Sequence, residues 1–144
     1  MKRHPAIITL ALLGLLISAQ AVQAAPASSP FDGTWIGQEP FPPAGDGSWQ
    51  HLVVKGSANI QIDYQDEFGQ VCWDAGATDF WFSSTLRGSV SGSTLTGTYR
   101  SASCGHLRIT ALRGTTHSWT IDTKGNGNPA DDTLSDGFVT FTRV

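Results

Sequence analysis

Apolar and polar residues alternate along most of the chain after residue 31, and this period of two is the feature that most limits the fold. The segment Asn59–Tyr64 is the clearest case, because Ile60, Ile62 and Tyr64 fall on one face. A strand with one buried face produces this pattern, since successive side chains point to opposite faces of a sheet. Gly, Pro and Asn clusters interrupt the alternation at short intervals, as turns between strands do.

The resulting fold class is all-β. Residues 39–48 hold three prolines and two glycines, which cannot sit inside a ladder, and residues 124–136 are a second, polar loop. We expect an antiparallel up-and-down barrel of about eight strands that closes on itself, with a sandwich as the alternative. The predicted strands are 32–37, 49–54, 59–64, 70–73, 79–84 continued by 87–90, 94–100, 106–112, 118–123 and 137–144.

A basic start and a short apolar run predict a secretory signal peptide at the N-terminus. Lys2 and Arg3 precede the nearly unbroken apolar segment Ile7–Ile17, and small residues follow it. The apolar run is about half of the roughly 20 residues that a membrane span needs, so a transmembrane anchor is disfavoured. Cleavage is expected after Ala24, with Ala21 as the alternative, and the protein is expected to be periplasmic or secreted.

Removal of the signal peptide, residues 1–24, is expected to leave a flexible leader at 25–30 and one β domain at 31–144. The exported chain keeps seven of the nine Lys and Arg residues against all twelve acidic ones, a formal charge of −5. Nucleic acids and anionic lipid surfaces are bound through basic patches, so neither partner is expected, nor is membrane insertion after cleavage. The expected state is a monomer.

Cys72 and Cys104 are the only cysteines, and in an exported chain two cysteines usually pair. The loop that they would close is about 33 residues long, and its closure would stabilise the fold by about 3–4 kcal/mol on a chain-entropy argument. A redox or metal pair is disfavoured because there is no Cys-x-x-Cys, and Cys104-Gly105-His106 alone offers too few ligands for zinc. We therefore predict a structural disulfide.

The two ends of the domain resemble the barrel-closing motifs of the calycin family, which includes lipocalins, avidins and fatty-acid-binding proteins. Gly33-Thr34-Trp35 opens the first strand and Phe141-Thr142-Arg143 ends the last one. In that family a Gly-x-Trp closes the base of the barrel and a basic residue of the last strand packs over the Trp. The resemblance therefore implies that Arg143 covers Trp35, since a guanidinium can stack on an indole ring.

A narrower resemblance is to avidins, through Leu95-Thr96-Gly97-Thr98-Tyr99 and Thr140–Val144. Ile36-Gly37-Gln38-Glu39 stands where avidins carry an Asn-containing segment that reaches biotin, and too few residues follow Trp119 for the last strands of an avidin. The resemblance implies the barrel topology and no biotin-contacting residue. No cofactor is predicted.

A polar loop that begins at Asp122 is the nearest approach to a metal motif. Asp122, Asn126 and Gly127 fit the first, fifth and sixth positions of a calcium loop. Lys124 stands at the third position, which needs an oxygen ligand, and Thr133 at the twelfth, which needs a bidentate Glu. A hydrated hairpin loop is the simpler interpretation, so no metal site is predicted and calcium in this loop stays open. Carboxylates that could still contribute are Asp131, Asp132 and Asp136.

The mature histidines, His51, His106 and His117, show neither ligand spacing nor a neighbouring nucleophile motif. A Ser–His–Asp triad is recognised by geometry rather than by sequence, so catalysis is not excluded. The sequence nevertheless favours a binding protein over an enzyme.

Three tryptophans fall outside the inward phase of the strands or lie beside loops, and they mark the predicted contact surface. Trp81 is out of phase with Phe80 and Phe82, Trp73 follows Cys72 at a turn, and Trp49 adjoins the proline loop. We expect them to line the mouth of the barrel around a small apolar or aromatic ligand. The predicted ligand-binding residues are Trp49, Trp73 and Trp81.

The alternative is a protein-binding inhibitor of a lytic enzyme or protease. Its motivation is the pair of conspicuous loops, 39–48 and 124–136. Prolines stiffen the first loop and so lower the cost of ordering it, while carboxylates in the second loop could meet a basic partner. Phe41, Trp49 and the acidic loop clustered on one convex end would favour this alternative.

Overall fold

The computed structural model describes residues 29–144, so the predicted signal peptide and most of the predicted leader lie outside the described residues. Within 29–144, no helix is long and apolar enough to cross a membrane.

The described chain forms one antiparallel sheet that closes on itself as an eight-stranded up-and-down barrel, so the sandwich alternative is wrong. The strands are β1 (Gly33–Gln38), β2 (Trp49–Lys55), β3 (Ile60–Asp66), β4 (Phe82–Ser91), β5 (Thr94–Cys104), β6 (Leu107–Arg108), β7 (Thr116–Asp122), β8 (Thr133–Ser135) and β9 (Thr140–Arg143). Each barrel strand pairs with the next one along the chain, and the barrel closes where β1 pairs with β9. A ninth strand, β6, pairs only with the end of β5.

Three segments differ from the predicted strands. Residues 70–73 belong to a short helix, α1 (Gln70–Asp74), which turns Cys72 into the core. The strand expected over 106–112 is only two residues long, because the chain turns after the buried Ile109, leaving Leu107 exposed. The polar loop contains β8 and a 3₁₀ helix, Pro129–Asp131. In all three, local burial or hydrogen bonding overrides the alternation.

Bulky side chains close one end of the barrel, which we call the base. Trp35 is fully buried there and donates from its indole Nε1 to the carbonyl of Phe31 at 2.9 Å. The guanidinium of Arg143 lies 4.1 Å from the centre of the Trp35 ring. Arg143 also donates to backbone carbonyls of the N-terminal segment and of Pro129. A stacked, multiply bonded guanidinium therefore covers the ring.

The other end, which we call the open end, carries the β1–β2, β3–β4, β5–β7 and β8–β9 connections. The Cys72–Cys104 disulfide forms there and joins α1 to the end of β5, which confirms the predicted bridge. The lower interior is filled by the chain's own side chains, among them Trp119, Phe141, Leu52 and Leu95. Any space for a ligand inside the barrel is therefore confined to its open end.

Candidate functional site

A cavity of about 190 Å³ lies in the mouth of the barrel at its open end. Its wall combines apolar groups with phenol, imidazole, carboxamide and carboxyl groups. Strands β3, β4, β5 and β7 contribute inward-facing side chains, and α1 contributes from above. The lining residues are Tyr64, Asp66, Gly69, Gln70, Val71, Phe82, Tyr99, Leu112 and His117.

Asp136, His117 and Tyr99 form a hydrogen-bonded chain on one side of the cavity. Nε2 of His117 lies 3.1 Å from Oδ2 of Asp136, and its Nδ1 lies 3.3 Å from the hydroxyl of Tyr99. The Oδ1 atom of Asp136 accepts from the backbone amides of Phe138 and Val139 in the β8–β9 turn. The turn thus fixes the carboxylate, the carboxylate orients the imidazole, and the imidazole orients the phenol.

A second network, centred on Asp66, lies on the opposite side. The Asp66 carboxylate accepts from the hydroxyl of Ser48 at 3.1 Å and from the backbone amide of Phe68 at 3.0 Å. The Gln50 amide group lies 3.4 Å from the same carboxylate and donates to Glu39 at 2.8 Å. Gln50 Oε1 in turn accepts from the Tyr64 hydroxyl at 2.9 Å. One carboxamide therefore links two carboxylates to a phenol of the cavity.

Burial shifts the pKa values of both networks. Burial is the main cause that raises the pKa of Asp66 and of Glu39 above their ordinary values. Burial also raises the pKa of Tyr99 to about 12, so this phenol keeps its proton well above neutral pH. Asp136 differs: burial raises its pKa, but the hydrogen bonds from His117 and from two backbone amides outweigh it and leave the pKa lowered.

Asp66 is a buried residue that is only 7% exposed. It nevertheless has no cationic partner among residues 29–144. The three ion pairs of the described chain are His117–Asp136, Lys124–Asp122 and Arg143–Asp132. A buried carboxylate is costly unless it is paired or hydrogen-bonded. Its hydrogen bonds to Ser48 and Phe68 offset part of that cost, and the wall position leaves the charge facing the cavity.

Aromatic rings surround the polar groups of the cavity. Tyr64 makes edge contacts with Phe82, His117 and Trp119, with ring centres 5.4 to 6.0 Å apart. The His117 ring stacks on Trp119 at 4.3 Å. The indole Nε1 of Trp119 is buried without a hydrogen-bond partner in the described chain. The mouth thus offers ring faces as well as hydrogen-bonding groups.

The three tryptophans expected to line the mouth lie outside this cavity. Trp49, Trp73 and Trp81 are 44%, 60% and 41% exposed, and they stand on the outer rim of the open end. Trp49 begins β2 on its outward phase, Trp73 projects from α1, and Trp81 precedes β4. They do not line this cavity, and their part in ligand binding stays a prediction.

The acidic loop does not cluster with Phe41 and Trp49 either. Asp131 and Asp132 lie in the β7–β8 connection at the base, and only Asp136 reaches the open end. Asp132 is buried, with an oxygen 3.7 Å from the Arg143 guanidinium.

The candidate calcium loop is occupied by its own hydrogen bonds. Asp122 accepts from the side chain and from the backbone amide of Lys124, and Asp131 accepts from Asn126 at 2.6 Å. Within residues 29–144, no three His, Cys, Asp or Glu side chains gather around a possible ion. His51 lies on the outer wall and His106 in the β5–β6 turn, both apart from His117.

The residues that the sequence analysis missed share one signal. Gln50, Asp66 and Ser84 are polar, yet they stand in the inward phase of their strands, in register with Leu52, Tyr64 and Phe82. All are buried in the structure, near the strand ends that meet at the mouth. Of these three residues Asp66 lines the cavity, while Gln50 and Ser84 hydrogen-bond to Tyr64, which also lines it.

Comparisons with protein families, with curated proteins and with solved structures find no match for this chain. The closed antiparallel barrel is compatible with a calycin-like fold.

Proposed function

We propose that the protein is a non-enzymatic binding protein that holds a small organic amine with an aromatic or apolar body in the mouth of its barrel. The observation that carries this proposal is the buried Asp66 carboxylate, which lines the cavity and has no cationic partner in the described chain. A protonated amine would supply the missing charge.

The rings around Asp66 favour an organic cation over a metal ion. Phe82 and Tyr99 line the same cavity, and aromatic faces attract ammonium groups. Val71 and Leu112 add apolar surface for the rest of the ligand. The small volume of the cavity, about 190 Å³, suits one ring with a short side chain rather than a fatty acid.

The hydrogen-bond networks support the proposal because they prepare the site before binding. Tyr64 and Tyr99 are held by Gln50 and His117, so neither phenol has to be ordered when a ligand enters. Preorganised groups lower the entropic cost of association.

Isothermal titration with three probes of matched shape tests the proposal. We expect phenethylamine to bind at pH 7, and 2-phenylethanol and 3-phenylpropanoate to bind far more weakly, because only the amine compensates Asp66. Asp66→Asn should weaken amine binding by at least about 30-fold, as truncating a buried charge pair does. Asp63→Asn, on the outward phase of the same strand, is the control and should bind normally.

Equal affinity for the three probes, or an unchanged affinity in Asp66→Asn, would contradict the amine proposal. Tighter binding of the alcohol than of the amine would instead favour an uncharged ligand in the same cavity.

A further inference from the structure

The open end of the barrel carries a second feature, which does not depend on the cavity. Of the nine exposed large hydrophobic residues in the described chain, only Val90 and Val144 lie away from this end. Such crowding at one end exceeds the scattered exposed side chains that are normal for a protein surface. We define the aromatic rim as Phe41, Trp49, Phe68, Trp73, Phe80, Trp81 and Phe138.

Four of the seven rim residues form a connected surface. Phe80 packs between Phe68 and Trp73, with ring centres 4.9 and 5.5 Å away. Phe68 and Phe138 line one groove of about 380 Å³, which the β1–β2 loop completes. Ring faces and a groove of this size are features of protein contact surfaces, where aromatic residues carry much of the binding energy.

Internal bonds hold the rim in place. The Cys72–Cys104 disulfide anchors α1, and the amide of Gly69 donates to the carbonyl of Phe80 at 3.0 Å. The β1–β2 loop is bonded to itself, from Gly47 to Pro40 and from Glu39 to Ser48. A surface ordered in advance loses little entropy when a partner docks.

The charge on the rim has one sign. Segments 39–49, 67–81 and 136–139 contain no Lys or Arg, yet they contain six carboxylates. Four of these are exposed, and none of the four pairs with a cation within residues 29–144. An acidic aromatic surface is complementary to a basic one, because Arg and Lys pair with carboxylates and stack on rings. The exposed carboxylates are Asp46, Glu67, Asp74 and Asp79.

We propose that the aromatic rim is a docking surface for a basic protein, whose Lys and Arg side chains contact Asp46, Glu67, Asp74 and Asp79 while its apolar groups cover Trp73 and Trp81. The β5–β7 connection contributes Arg108 and Arg113 to the open end, outside these three segments.

Binding measured against defined proteins tests this inference. The probes are lysozyme, ribonuclease A and cytochrome c as basic proteins, with serum albumin as the acidic one. In biolayer interferometry, the protein should bind at least one basic probe saturably and should not bind albumin. Affinity should fall several-fold between about 50 and 300 mM salt, because exposed charges are screened.

Variants separate the rim from general electrostatic attraction. Trp73→Ala should weaken binding at least about tenfold, as removal of an interface aromatic does. The double substitution Asp74→Asn and Asp79→Asn should weaken binding and flatten its salt dependence. Val144→Ala and Asp131→Asn alter an exposed apolar group and an exposed carboxylate at the base, and they are the matched controls. Trp81→Ala repeats the aromatic test at a second position.

Two results would overturn the inference: no binding to any basic probe, or binding that the base variants weaken as much as the rim variants do. Binding of a neutral polysaccharide, lost in Trp73→Ala and insensitive to salt, would also overturn it in favour of a carbohydrate surface. Phenethylamine titration of Trp73→Ala keeps the two proposals apart, since that variant should still bind the amine.

Discussion

Burial disfavours the ionised form of Asp66, which is the form that we propose binds an amine. Its raised pKa means that the folded state binds the proton more tightly than the unfolded state does. The tighter proton binding stabilises the folded state. This stabilisation is fully present below the unfolded pKa of about 3.9 and is lost as the pH rises through the folded pKa. Above the folded pKa the ionised carboxylate therefore opposes folding.

Asp66→Asn should consequently be at least as stable as the wild type at pH 7, by up to about 1 kcal/mol, because it removes a buried charge. An Asn carbonyl can still accept from Ser48 and from the amide of Phe68. Urea denaturation at pH 7 measures the difference, with Asp63→Asn as the control. A loss of more than about 2 kcal/mol would mean that the carboxylate is a structural requirement.

Asp136 behaves in the opposite way. Its lowered pKa gives stability that is present above the unfolded pKa of about 3.9 and is lost as the pH falls through the folded value. Asp136→Ala leaves His117 and two backbone amides without their acceptor, so we expect a cost of about 1–3 kcal/mol at pH 7.

The free energy of unfolding measured as a function of pH checks this prediction. The difference in that free energy between the wild type and Asp136→Ala should become smaller below about pH 4. Asp63→Ala serves as the control because Asp63 lies on the outward phase of β3. If the difference in free energy of unfolding stays constant from pH 7 to pH 3, the loss of stability in Asp136→Ala does not come from the ionised carboxylate.

Among the elements, α1 depends most on a single covalent link. It is five residues long, has no side-chain cap, and buries only Cys72. A helix this short is not stable by itself, so tertiary contacts hold it. The disulfide to β5 is the strongest of these contacts and fixes the part of the rim that carries Trp73.

The double variant Cys72→Ala and Cys104→Ala should lose about 2–4 kcal/mol of unfolding free energy and keep its barrel, because strand pairing does not pass through α1. Urea denaturation measures the loss of unfolding free energy, and far-ultraviolet circular dichroism shows whether the barrel is kept. Hydrogen exchange should rise in 67–81 and stay unchanged in β1 and β9. Uniform exchange through the barrel would show that the bridge supports the whole fold.

The sequence predicts the elements unequally. The alternation in 59–64 and the turn Ser91-Gly92-Ser93 predict β3 and the β4–β5 hairpin, because one face of each strand is buried. Alternation misleads at 106–112, where Leu107 has the inward phase but no core to face. It also misses α1, whose conformation is set by the disulfide and by contacts distant in sequence.

For the whole molecule, the motifs at the two ends of the domain predict how the base of the barrel is closed. They do not predict which residues line its mouth. Gly33-Thr34-Trp35 and Arg143 meet as the resemblance implied, since β1 pairs with β9. The mouth depends on which inward positions are polar, and Gln50, Asp66 and Ser84 come together only through the register of β2, β3 and β4. Periodicity gives the face of a residue and leaves its distant neighbours undetermined.

The central claim is that the mouth of the barrel, and not its outer rim, binds a small amine. Mapping phenethylamine by amide chemical shifts in a ¹H–¹⁵N correlation spectrum tests this claim most directly. The account predicts saturable shifts at Asp66, Phe82, Tyr99 and His117 that Asp66→Asn abolishes. Shifts confined to the rim tryptophans, or to the base around Arg143, would contradict it.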